Sequence, residues 1–351
     1  MYDKNFCLSS YIAFRYIYKD DVDFFPNTKH ENYKLPNNNE LTIVSTAKEI
    51  DDYLKNKIDA IYDSGKTVGV LLSGGMDSAI IASYMRPGSH AYTFTNEDSD
   101  IYNSDIERAK CYCKKIGLKH HLINIDFDDY KKYTPIVMNY AGSPVHSIEP
   151  QIYKAAMQAK KDGVDIMLIG DAADYIFGGM DKLLSKDWKF DEFAKRYILL
   201  EPELVLKNPR NIREIFEPYR LGNDMIDFEK FISNGPMAIE SYGSYKNAFD
   251  AAGLEFCDPY EKLKMPSKLD LKRIRNGESK YLIRELYEIR YPEFTVPDKI
   301  PMPRPVDKIF ANWEGPIRSE FRKDIPIDQL SGNQKWQLWC AEQFLNAHDK
   351  E

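Results

Sequence analysis

Cysteine is scarce, with only Cys7, Cys111, Cys113, Cys257 and Cys340 among 351 residues. An odd, scattered set excludes a disulfide framework, and one C-x-C pair is too little for a four-ligand zinc site. That pair falls in a stretch of helical pattern, Asp105 to Ile116, where residues two apart point to different faces, so both are read as structural. Long hydrophobic runs are absent too. The longest, Val68 to Leu72, is far too short for a bilayer, and the start Met1-Tyr2-Asp3-Lys4 lacks the charged-then-apolar pattern of a secretion signal. A cytoplasmic protein without membrane contact is expected. Nor is there a basic stripe: 48 Lys and Arg stand against 55 Asp and Glu, giving a net charge of −7. With the cations scattered, the electrostatic footprint of a nucleic-acid partner is missing.

What is present is an ordinary globular composition, 43% hydrophobic and 29% charged, rich in Tyr and Phe. The length suits two compact domains. Residues 1–40 read as an aromatic-rich lead-in closing on the polar turn Lys34 to Asn39. Ser45 to Asp63 is amphipathic at helical spacing through Ile50, Tyr53, Leu54, Ile58 and Ile61. Thr67 to Leu72 is then a buried-type strand, Gly74-Gly75 a break, and Ser78 to Tyr84 a helix. The pattern repeats: strands at Ser89 to Thr95, His120 to Ile125 and Val164 to Ile169 alternate with helices at Ile106 to Ile116 and Gln151 to Lys160. This predicts an α/β, doubly wound, mainly parallel sheet over 41–185 whose ligands lie at the carboxyl ends of strands. From about Asp181 the pattern changes to helical segments such as Asp191 to Leu200, Lys280 to Tyr291 and Asn333 to Ala347. Residues 186–351 are therefore expected to form a helical part packed on the sheet, holding the substrate. The Trp336/Trp339 pair, on one helix face, is read as core.

The strongest chemical signal is Ser73-Gly74-Gly75-Met76-Asp77-Ser78, between a buried strand and a helix start. Glycines let backbone approach a phosphate, helix-start N–H groups are unpaired, and two hydroxyls add donors. Asp77 would repel bare phosphate, which points to a divalent cation such as magnesium between them. Gly65-Lys66-Thr67, just upstream, is not a Walker loop: Ala60 stands where that motif needs its first glycine, and helix precedes it. A second glycine-bearing strand end is Ile169-Gly170-Asp171-Ala172-Ala173-Asp174-Tyr175-Ile176-Phe177-Gly178-Gly179-Met180.

These two blocks resemble the pyrophosphate loop and second signature of the asparagine synthetase family, in its synthetase domain, within the pyrophosphate-loop ATP pyrophosphatases and related to beta-lactam synthetases. Gly117 to His121, Asp258-Pro259-Tyr260, Lys280 to Arg284 and the Lys299 loop agree in the same order. The resemblance implies an adenine nucleotide alpha hydrolase-like sheet and a carbon–nitrogen ligase that makes AMP and pyrophosphate. It would adenylate a small carboxylic acid with ATP and pass the acyl group to ammonia or an amine. Ser73, Gly74, Gly75, Asp77, Ser78 and Gly170 would hold the pyrophosphate, and Leu71, Leu72 and the strand end Thr93 to Asn96, with Thr95, would line the adenosine. Asp77 and Asp174 would hold Mg2+. Lys299 would meet the α-phosphate and the developing acyl oxyanion. Asp171 departs from the family's usual Glu, and either acts as the base that takes the amine proton or caps the following turn. Tyr175 also departs, standing where an acid is common.

The family's glutaminase part, which begins with an exposed cysteine, finds no counterpart in the 72 residues before Ser73. Nitrogen is then expected as free ammonia, as an amine, or from a separate glutaminase subunit, with a surface left for such a partner or for a homodimer mate. Two other readings stay open. One is thiolation through an adenylate, for which Cys257 is the sulfur to test. The other is a non-catalytic ATP-binding partner.

Overall fold

The computed structural model describes residues 1–95, 100–298 and 302–349. Its centre is a five-stranded sheet of β2 (Val68–Leu71), β3 (His90–Thr95), β4 (Lys119–Asn124), β5 (Ile166–Leu168) and β6 (Glu255–Cys257), in the order β4-β3-β2-β5-β6. Every pairing is parallel. A small parallel pair, β1 (Thr42–Ile43) with β7 (Leu263–Lys264), lies outside it. Val68, Val70, Ile166, Met167 and Leu168 are each at most 3% exposed, as expected of strands covered on both faces.

The chain enters the sheet at its middle strand, winds outward through β3 and β4, then crosses back to place β5 on the other side of β2. That reversal puts the ends of β2 and β5 side by side, and a crevice opens there by construction. The helices follow the sequence pattern. α2 (Ala47–Asp63) starts on a Thr46/Glu49 capping box and buries Ile50, Leu54 and Ile58. α3 (Met76–Ala82) follows the glycine loop, α4 (Asp100–Ile116) leads to β4, and α6 (Glu149–Lys161) leads to β5. Cys111 is exposed and Cys113 buried, and all five cysteines are free thiols.

Three elements were not legible beforehand. The lead-in is a real helix, α1 (Lys4–Phe14), buried from Phe6 to Phe14. It packs against the helix Gly332–His348, whose Gln337 amide donates to the carbonyl oxygens of Tyr11 and Ile12. α5 (Phe127–Ala141) carries Pro135 inside it, which hides its helical character from a local reading. The part expected to be helical also supplies β6, paired from Ile166↔Glu255 to Leu168↔Cys257. A division at 185/186 therefore runs through the sheet. Three-residue strands are too short to show a period of their own, and only the neighbouring edge defines this one. Among the described residues no helix is long and apolar enough to cross a membrane.

Candidate active site

The crevice at the β2/β5 switch is a cavity of about 380 Å³. Leu71, Leu72, Ser73, Gly75, Asp77, Ser78, Gly170, Asp171 and Asp174 all line it, together with Tyr92, Thr93 and Phe94 of β3. The loop after β2 is braced by its own hydroxyls. Ser78 Oγ accepts from the Ser73 N–H at 3.0 Å and lies 3.0 Å from Ser73 Oγ, which accepts from the Gly75 N–H at 3.1 Å.

Gly74 and Thr95 do not line the cavity. The Gly74 carbonyl turns away to accept from Arg108 Nε at 3.1 Å, and a Cβ there would stand 2.5 Å from the Asp105 carbonyl oxygen. Glycine is required because α4 passes so close, a packing role and not a lining one. Thr95 misses the cavity because β3 outruns β2: Leu71 is level with Tyr92, so Thr95 lies three residues beyond. Lys299 and Asn96 lie outside the described residues, whereas Pro297, Asp298, Met302 and Pro303 on either side of Lys299 line the cavity.

Asp77 and Asp174, 97 positions apart in the chain, converge on a third group. Lys280 Nζ lies 2.6 Å from Asp77 Oδ2 and 2.8 Å from Asp174 Oδ1, and the lysine side chain is only 4% exposed. Burial works against its charge, but the two carboxylates outweigh that and hold its pKa above the ordinary lysine value. Lys280 sits in left-handed backbone, φ 53°, at the start of the helix Tyr281–Arg290. A non-glycine residue held there marks a position that the surroundings over-determine. In the sequence Lys280 stands only within the matching run Lys280 to Arg284, with no role attached to it. Nothing local separates it from 47 other basic residues; its burial against two acids is what distinguishes it.

Asp171 precedes α7 (Ala172–Ile176) but does not cap it. That task falls to Asp258, whose Oδ2 accepts from the Asp171 and Ala172 N–H groups at 2.8 and 2.7 Å, while Oδ1 accepts from the Tyr260 N–H at 2.9 Å. The Asp171 carboxylate turns into the cavity instead, accepting from Tyr175 OH at 2.8 Å and Ser241 Oγ at 2.7 Å. Burial pushes its pKa up to about 6; the two hydroxyl donors oppose this, and nearby Asp174 and Glu240 add to it. A carboxyl poised near neutrality in a cleft is the condition for moving a proton. Cys257 is different. Burial raises its thiol to about 11, so little thiolate forms near pH 7.

For a magnesium ion the test is the donor set. Two hard carboxylate oxygens already meet around one buried positive charge, so Asp77 and Asp174 are the residues that would hold a divalent cation.

The geometry thus describes a nucleotide-binding type of cleft: a parallel switch point, a hydroxyl-braced glycine loop and paired acids. The asparagine synthase family model matches residues 49–230, more than half of the chain and the whole of the first four strands of this sheet. The protein belongs to that family. A putative glutamine-hydrolysing asparagine synthetase of Mycobacterium tuberculosis (strain H37Rv) is 31% identical over 134 residues, 37% of this chain and 20% of that protein. Asparagine synthetase 1 of Bacillus subtilis (strain 168), also glutamine-hydrolysing, is 30% identical over 144 residues, 37% of this chain and 22% of its own. The matched stretch is thus about a fifth of these relatives' length. Among solved structures, the NMN synthetase of Francisella tularensis aligns over 73% of this chain and all of its own, with a TM-score of 0.29 and 13% identity. The U34-tRNA thiolase of Methanococcus maripaludis aligns over 72% and 82%, with a TM-score of 0.28 and 15% identity.

Proposed function

We propose that the protein is an ATP-dependent, AMP- and pyrophosphate-forming amide ligase acting on a carboxylic acid. The observation that carries this is the convergence of Asp77, Asp174 and Lys280 beside the Ser73 to Ser78 loop, in a chain of the asparagine synthase family.

In this reading the Ser73 and Ser78 hydroxyls and the loop N–H groups grip the β- and γ-phosphates. Leu71, Leu72 and Thr93 border the adenosine. Asp77 and Asp174 would hold Mg2+, which supplies charge neutralisation across the phosphates. Lys280, buried between the two acids, would add a fixed positive charge beside the phosphates. A substrate carboxylate oxygen then attacks the α-phosphorus as the bond to the bridging oxygen breaks, and pyrophosphate leaves. Lys299 is assigned to the α-phosphate and the acyl oxyanion, where fixed positive charge lowers the barrier. The nitrogen of ammonia or an amine attacks the acyl carbon, its proton passes to Asp171, and AMP departs with the electron pair of the broken acyl–oxygen bond. Ammonia reaching the cleft from a separate glutaminase subunit is compatible with this chemistry. The raised thiol pKa of Cys257 disfavours the sulfur-transfer alternative.

The test is to incubate the protein with Mg2+, α-labelled ATP, ammonia and a panel of carboxylic acids, and to separate the nucleotides. Acid-dependent AMP is expected. ADP as the product overturns the reading, and bound ATP without turnover under any condition leaves the non-catalytic partner in its place.

A further inference from the structure

A second cavity, about 430 Å³, adjoins the nucleotide cleft and shares Gly179 and Asp181 with it. Gly179 is a wall common to both. A Cβ on Gly179 would stand 2.0 Å from Asp174 Oδ1 and 2.9 Å from Lys280 Cδ, so the inner end of the second cavity abuts the acids and the lysine assigned above to the phosphates. Its volume lies in the range of small-molecule sites.

The walls come from four distant parts of the chain and are mostly apolar: Phe14, Met180, Leu183, Tyr197, Leu199 and Met237. Phe14 and Tyr197 stack with ring centres 6.0 Å apart. Leu199 is 37% exposed, a large aliphatic side chain left open at the cavity. The two methionines have the rotameric freedom to fit an irregular hydrocarbon shape.

The charges decide what such a shape could carry. Arg15 and Glu240 face the cavity but are committed to each other: Arg15 Nε lies 3.0 Å from Glu240 Oε1 and Nη2 donates to Oε2 at 3.2 Å. The remaining nitrogen, Nη1, donates to His146 Nε2 at 2.8 Å. The guanidinium is thus ion-paired with Glu240, although Nε and Oε1 make no hydrogen bond of good geometry, and Arg15 sits in left-handed backbone at φ 67°. Asp181, Lys182 and Arg196, the other charged residues of the lining, are solvent-exposed, Asp181 at the junction with the nucleotide cleft. An α-amino acid seated here would set an ammonium and a second carboxylate against a carboxylate and a guanidinium already paired with each other, and must either break that buried pair or leave its own charges unpaired, which costs more than the apolar contacts return. The nitrogen end is also in place. Ser241, next to Glu240 on the helix Pro236–Ala252, donates to the Asp171 carboxylate at 2.7 Å, so one helix spans from the cavity wall to the base.

We propose that this cavity holds the acid to be activated and that it selects a monocarboxylic acid with an apolar body, aryl or branched alkyl, over an α-amino acid. The proposal rests on the ligase reading above. The acid's carboxylate lies at the Gly179 end, facing the α-phosphate, with the hydrocarbon between Phe14, Tyr197 and Met237.

The experiment compares AMP release with phenylacetate, 4-methylpentanoate, aspartate and glutamate at saturating Mg2+, ATP and ammonia, in the full chain and in Leu199→Trp and Met237→Glu. Both positions touch the cavity without lying in the core, and an unchanged unfolding temperature checks each variant's fold. The expected result is a kcat/KM at least tenfold higher for the apolar acids than for aspartate. Each variant should raise their KM by at least tenfold while leaving the KM for ATP unchanged. Preference for aspartate, or apolar acids used by both variants at the wild-type KM, overturns the pocket while the ligase reading stands. If no acid yields AMP, calorimetric titration of phenylacetate in the presence of a non-hydrolysable ATP analogue separates the two. Binding that Leu199→Trp abolishes upholds the pocket though the ligase reading falls, and no binding overturns both.

Discussion

Lys280 has the most exacting position of any single residue. Two carboxylates are held near one ammonium with little water access, so each charge depends on the others. Lys280→Met should cost about 3 kcal/mol of stability, the lower end of what breaking a buried pair costs, since both acids keep some exposure. Thermal unfolding in EDTA checks this, and added Mg2+ should recover part of the loss by replacing the missing charge. Asp77→Asn should abolish Mg2+-dependent turnover while the protein stays folded, read by AMP release and circular dichroism; normal activity would remove Asp77 from the metal. For Asp171 the raised pKa of about 6 sets a direction. A base works only when deprotonated, so acyl transfer should decline as pH falls through about 6 and level off above it. Asp171→Asn should slow amine capture while sparing pyrophosphate release. Single-turnover measurements of the two steps across pH decide, and an equal loss of both would make Asp171 structural. Asp77 could be singled out from the glycine loop after its strand, and Asp171 and Asp174 through the resemblance carried by the second glycine-bearing block. Lys280, Arg15 and Glu240 could not, because a charged residue's function here lies in what surrounds it 200 positions away.

At the scale of elements, α7 is a five-residue helix that cannot hold itself in place. It is positioned by Asp258, which comes from just beyond β6 and accepts three backbone N–H groups and the Tyr242 hydroxyl at 3.1 Å. Asp258→Ala should strand these buried donors at about 1–3 kcal/mol each and let the Asp171 carboxylate drift. The combined signature is a lowered denaturation midpoint together with a loss of acyl transfer larger than that of adenylation. The pair Asp258-Pro259 was recognisable as a motif, but its task was not, since a cap normally lies within the helix it serves. The long helices were legible from their period, α2 above all, while its Thr46 box is a finding of the structure. α5 escaped because Pro135 suggests a break, and its N-terminal turns keep their hydrogen bonds despite it.

For the whole molecule, the lead-in, the sheet and the last helix share one apolar interior. Trp336 is 1% exposed, its indole N–H donates to the Val145 carbonyl oxygen at 2.9 Å, and its ring packs on Tyr130 of α5. Trp336→Ala should cost about 3–5 kcal/mol, measurable by urea unfolding, and loosen α1 and α5 together. The expectation that Trp336 and Trp339 are core rather than a ligand platform agrees with the ring contacts both make to Phe310.

The sequence by itself determined the strands, the glycine loops between strand and helix, and the parallel winding. Those follow from local periodicity and from glycines that let neighbouring chain approach closely, and a switch point with a cleft comes with them. It also brought Asp77 and Asp174 to that cleft, because both sit at strand ends. Only the tertiary structure decided which cation stands between them, which carboxylate caps α7, that β6 closes the sheet, and that Arg15 is spent on Glu240. Each of those is a contact between segments far apart in the chain, set by burial and the pairing of charge, and neither leaves a local period to read.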